Sequence, residues 1–115
     1  MKLAFLMSAI EAFPEKQAHQ ACQLAALLDS PLTGITTSED TLNHYVPVDG
    51  SYVDMLSASV EAAEINLKRS AEAFRALCAE KNIAQEWYGT HGFMQQEWEK
   101  LSAYFDLAIA GNPFS

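Results

Sequence analysis

Residues 3–37 read LAFLMSAIEAFPEKQAHQACQLAALLDSPLTGITT, and the fold class follows from this stretch. Leu3 to Met7 is an unbroken apolar run, the pattern of a strand covered on both faces. Residues 9–14 connect it to a helix that opens at Pro14-Glu15. Pro is tolerated in a first turn, and a carboxylate there faces the positive end of the helix dipole. Ala18, Ala21, Ala25 and Leu28 recur at helical spacing, and the helix stops near Asp29-Ser30-Pro31. Leu32-Thr33-Gly34-Ile35-Thr36-Thr37 is short and β-branched between turn-forming residues, and reads as a second strand.

The rest of the chain extends this alternation. Residues 38–50 hold Asn, His, Pro, Asp and Gly with little periodicity, which predicts a loop with one helical turn at Glu39 to His44. Val53, Leu56, Val60, Ala63, Leu67, Ala71, Phe74 and Cys78 are spaced by threes and fours, one face of a long helix from Ser51 to Lys81. Its length allows a kink near Ser57–Ser59. Ile83 to Tyr88 reads as a third strand, and Gly89-Thr90-His91-Gly92 as a turn. Met94 to Phe105 reads as a helix with Met94, Trp98, Leu101 and Phe105 on one face, and Asp106 to Gly111 as a fourth strand. This order predicts a three-layer α/β sandwich, Rossmann-like, with a mainly parallel sheet, right-handed crossovers and helices on both faces. A ligand is then expected beyond the carboxyl ends of the strands.

A chain of 115 residues suits a single domain, residues 1–115, whose core needs neither metal nor disulfide staples. Its 15 acidic and 7 basic residues give a net charge of −8. The largest basic cluster is Lys68-Arg69, which argues against nucleic acid or an anionic membrane as partner. The N-terminal apolar run is short for a secretory signal, and no run approaches the ~20 apolar residues of a membrane span. Cys22 and Cys78 match no zinc or thioredoxin spacing; as small hydrophobes on helices they read as reduced thiols of a cytoplasmic protein. His19, His44 and His91 form no ligand motif, so no metal site is expected.

Several words in this order resemble the universal stress protein family. They are Leu32-Thr33-Gly34-Ile35, Ala71-Glu72-Ala73-Phe74 running on to Ala79, Ala84-Gln85-Glu86-Trp87-Tyr88, and Ala103-Tyr104-Phe105-Asp106-Leu107-Ala108-Ile109-Ala110-Gly111. The last is similar to the family's ARYADLVVLG segment, and Glu86-Trp87 to its AEWR strand. The likeness is strongest to the proteobacterial branch in which two such domains stand in tandem. It implies a strand order of 3-2-1-4-5, dimerisation and, in some members, ATP or AMP binding. The ATP binders carry an Asp after the first strand and a G-x2-G-x9-G-[ST] loop after the fourth. Here Met7-Ser8-Ala9 has no Asp. Gly111 matches the first Gly, Phe114 stands at the second, and the rest of the loop and the fifth strand are missing. The chain therefore reads as a short or truncated member without the phosphate cradle, with strand order 3-2-1-4.

The candidate ligand-binding residues are those near the carboxyl ends of the strands: Ser8, Thr36, Thr37, His91, Gly111 and Asn112. No nucleophile elbow or His-Asp pair accompanies Ser8, so an enzyme of the wider adenine-nucleotide hydrolase-like group finds no catalytic set. Glu97 and Glu99 read as solvated charges around a buried Trp98. Trp87, Tyr88, Tyr104 and Phe105 read as core or interface residues, since no basic residues are interleaved. The leading expectation is a non-enzymatic domain that acts through dimerisation and partner binding. A homodimer or other homo-oligomer then covers the exposed sheet edge, and the domain uses no cofactor. The alternative is an adenine-nucleotide (ATP or AMP) or other small-molecule binder using the crevice at the carboxyl ends.

Overall fold

A computed structural model describes residues 1–9, 12–38, 52–90 and 94–111, with backbone alone at 52–60 and 63. The loop expected over 38–50, apart from Ser38, lies outside the described residues, as do the turn at Glu39 to His44 and the tail after Gly111. Among the described residues four strands and three α-helices alternate: β1 (Leu3–Ser8), α1 (Glu15–Leu27), β2 (Leu32–Thr37), α2 (Tyr52–Glu80), β3 (Gln85–Thr90), α3 (Met94–Leu101) and β4 (Leu107–Ala110). The strands form one parallel sheet in the order β3-β2-β1-β4. This is the α/β, Rossmann-like architecture with the expected 3-2-1-4 order.

Parity along the strands decides what each helix covers. Leu3, Phe5 and Met7 of β1 and Leu32 of β2 pack with Ala18, Ala21, Cys22 and Ala25 of α1 and with Phe74, Leu77 and Cys78 of α2. Small residues on α1 let that helix approach the sheet closely. The Phe5 and Phe74 rings stack with centroids 6.4 Å apart. On the other face Ala4, Leu6 and Ile35 pack with Met94, and Trp98, Leu101, Phe105 and Ala108 close around them. All six residues of β1 are buried, as a central strand requires.

Four readings are corrected. Strand β3 spans Gln85–Thr90, two residues beyond Ile83 to Tyr88, and Gly89-Thr90 belongs to the strand rather than to a turn. Residues 82–84 are used to end α2: Asn82 takes a left-handed φ of 56°, and the Ile83 N–H bonds back to the Cys78 carbonyl at 2.8 Å. Gly89 stays in the strand because a Cβ there would lie 2.2 Å from the Trp87 ring, which is laid over it on the same face. Helix α3 ends at Leu101 rather than Phe105; Ser102–Tyr104 tighten into a 3₁₀ turn, and extended Phe105 still stacks on Trp98 with centroids 5.9 Å apart. Leu28 is exposed rather than on the apolar face, because it sits at the C-cap of α1, beyond the packed stripe. Glu97 is only 8% exposed rather than solvated, accepting a hydrogen bond from the Tyr88 hydroxyl at 3.3 Å with Lys100 Nζ 3.8 Å away.

Candidate functional site

The crevice at the carboxyl ends is built by register. Ser8, Thr37 and Thr90 end β1, β2 and β3, and the ladder sets Ser8 against Thr37 and Thr37 against Thr90. Their shared parity aligns three hydroxyls across three strands, on the face that α3 covers. Met94, the first residue of α3, packs on Leu6 and Ile35, one step inward from Ser8 and Thr37 on that face. Backbone bonds carry the ladder past the strand ends, from Ala9 N–H to the Thr37 carbonyl at 2.7 Å and from Ser38 N–H to the Thr90 carbonyl at 3.1 Å. Thr37 is 0% exposed, and among the described residues its Oγ1 has no hydrogen-bond partner. A buried hydroxyl without a partner is unusual enough to mark a place where a water or a ligand atom belongs.

The expected site residues divide. Ser8 and Thr37 come together. Thr36, one residue earlier, points to the opposite face, where its Oγ1 accepts the Trp87 indole N–H at 2.9 Å and lies 3.5 Å from the Ser70 hydroxyl. Ser70 in turn donates to the Met7 sulfur at 3.8 Å. Thr36 therefore joins the sheet to α2, and the Arg75 guanidinium over the Trp87 ring at 5.7 Å completes that contact. Gly111 follows β4 beside the break between β1 and β4, its N–H bonded to the Leu6 carbonyl at 2.8 Å. A Cβ there would lie 2.6 Å from the Phe5 ring, 2.8 Å from Pro14 and 3.1 Å from the Leu6 carbonyl oxygen. Close packing of β4 on β1 and the start of α1 thus accounts for this glycine. His91 and Asn112 lie outside the described residues. The sequence pattern does not reveal Thr90, because periodicity sets the third strand two residues early and its place in the row needs the register of β3 on β2.

The two cysteines are far apart in sequence and adjacent in space, buried where α1 crosses α2. Burial pushes both thiols up, Cys78 to about 12 with the neighbouring Cys22 adding to the shift. Thiols held protonated in this way are poor nucleophiles. Among the described residues no three His, Cys, Asp or Glu side chains converge to hold a metal ion. No helix among them is long and apolar enough to cross a membrane.

No protein-family profile and no curated protein matches the sequence. Among solved structures, a universal stress protein from Archaeoglobus fulgidus is similar, with a TM-score of 0.57 at 12% identity, covering 96% of this chain and 74% of that one. At this identity the likeness concerns the fold alone. The chain has a universal-stress-protein-like fold, as its sequence words imply.

Proposed function

We propose that this chain is a non-enzymatic, universal-stress-protein-like module of the cytoplasm that pairs with a second copy of itself and, as a pair, engages a protein partner. The observation that carries this reading is the open edge of β4. Among the described residues no strand pairs with its outer side, and Leu107 on it is 44% exposed. An uncovered apolar edge is a template for another strand, and two-fold pairing of like edges closes the assembly. The protonated Cys22–Cys78 pair fits a reducing compartment. Sedimentation velocity tests the pairing. The wild type is expected to run as a dimer, and Leu107→Lys as a folded monomer, since a charge at the edge opposes strand pairing. A wild type that stays monomeric at high concentration removes the proposal.

A second reading rests on a separate observation, the unpartnered Thr37 hydroxyl beside Ser8 at the carboxyl ends. It supports a small ligand in that crevice, with an adenine nucleotide the leading class. Phe114 stands at the second glycine position of the pattern that cradles phosphates, so recognition through the nucleoside portion is expected. Calorimetry with ATP and AMP, with and without magnesium, tests it. Saturable heat that Thr37→Val abolishes supports this reading; no heat with folded protein ends it.

A further inference from the structure

Three of the aromatic residues that read as core or interface, Tyr88, Tyr104 and Phe105, gather around one cleft, at the opposite end of the sheet from the hydroxyl row. Its volume is about 360 Å³, and Tyr88, Tyr104 and Phe105 line it, while the Trp87 ring is turned to the other face, where its indole N–H bonds to Thr36. Thr33 and Ile35 form its floor on the face that α3 covers, and Leu101 closes one side. Tyr88 is 42% exposed and Tyr104 66% exposed, so two large rings stand open at a concave surface instead of packing in the core. The Tyr88 hydroxyl is tied to Glu97 at 3.3 Å, which fixes that ring as a wall.

We propose that this cleft is a binding site for a neutral, planar heteroaromatic molecule of one or two rings, separate from the crevice at the carboxyl ends. Size selects the kind of occupant: the volume lies in the range of small-molecule pockets. The open tyrosine rings select a flat partner, because aromatic faces and edges attract one another beyond simple area burial. Charge selects neutrality. Lys2 and Glu86 both line the cleft and offset each other, and the net charge of −8 repels an anion at longer range. The Thr33 hydroxyl on the floor offers a donor and an acceptor to a ring nitrogen or N–H.

The test follows the amide NMR spectrum of the isotope-labelled full chain during titration with indole, using cyclohexanol as a non-aromatic control. Indole is expected to give saturable shifts confined to Thr33, Glu86, Tyr88 and Tyr104, and cyclohexanol far weaker ones. Tyr104→Ala, at an exposed position, is expected to leave the rest of the spectrum unchanged and weaken indole about tenfold. Tyr88→Phe keeps the ring and is expected to keep the affinity. The proposal is overturned if indole shifts never saturate or scatter over the surface, if Tyr104→Ala binds as the wild type does, or if cyclohexanol binds equally well. It is also overturned if dilution without indole moves the same amides, because a second copy of the chain then fills the cleft.

Discussion

Thr37 is a side chain whose chemistry the described residues around it do not complete. It lies in a row with buried Ser8 and half-buried Thr90, and its Oγ1 has no hydrogen-bond partner among the described residues. Leaving such a hydroxyl unpaired costs roughly 1–3 kcal/mol, whereas a methyl of the same shape needs no partner. Thr37→Val is therefore expected to raise the stability of the ligand-free protein by about 1 kcal/mol, read as a higher urea midpoint at unchanged slope. A lower midpoint would show that water already serves the hydroxyl. Cys78 supports a second prediction. Its thiol is pushed from an ordinary 9.0 up to about 12, first by burial and then by Cys22. Between these values the unfolded chain releases a proton that the folded chain keeps, so stability falls as pH rises. Stability contributed by this group is full below pH 9.0 and is lost progressively toward about 12. Denaturation across that window is expected to show a steeper loss for the wild type than for Cys78→Ala; equal slopes would place the titration elsewhere.

Each element follows from local pattern and ends through local chemistry. The three-and-four spacing of Leu67, Ala71, Phe74 and Cys78 reports the buried face of α2, and all four are buried. The two helices on that face end alike. Asp29 after α1 and Asn82 after α2 take φ of 50° and 56°, and the N–H groups of Ser30 and Ile83 reach back to the carbonyls of Ala25 and Cys78 at 2.9 and 2.8 Å. Asp and Asn tolerate the left-handed region better than other residues with a Cβ, and Gly adopts it without penalty. Asn82→Gly is expected to keep or slightly raise the melting temperature, while Asn82→Val lowers stability by about 1–2 kcal/mol. Equal stability of the two variants would mean that the cap does not hold the left-handed turn. The same cap explains the misplaced third strand. Ile83 and Ala84 carry the apolar pattern of a strand start, but the turn consumes them, and periodicity does not register a turn made by Asn82.

In the whole molecule the sheet is unequally protected. β1 is buried on both faces and β2 nearly so, whereas β3 and β4 are edge strands with exposed positions on each. At the β3 edge Trp87 covers Gly89, bonds to Thr36 and lies beneath Arg75. At the β4 edge Ile109 packs toward the core shared by α1 and α2, while Leu107 stands exposed. The two large apolar residues of β4 are thus separable. Ile109→Lys places an ammonium against that core and is expected to lower stability by about 3 kcal/mol or more, measured by urea unfolding. Leu107→Lys is expected to leave the fold intact and act on association alone. An Ile109→Lys protein as stable as the wild type would show that β4 does not contribute to the core.

The alternation of strand and helix, the parallel sheet, the burial of β1 on both faces and the buried face of α2 are all legible in the order of residues. These depend on hydrophobic period and on crossover handedness, which act over short stretches of chain. Of the candidate site, Ser8 and Thr37 are legible as hydroxyls at strand ends, but their alignment with Thr90 is not. A one-residue change of register sends every side chain of a strand to the opposite face, and register is fixed by pairing between strands far apart in sequence. Tertiary packing likewise turns Thr36 toward Trp87, buries Glu97 beside Tyr88, brings Cys22 against Cys78 and gathers three aromatic residues around one cleft. Each of these contacts joins segments that have no local reason to meet. They exist because burying the apolar faces of α1, α2 and α3 on a single sheet leaves the chain no other way to close.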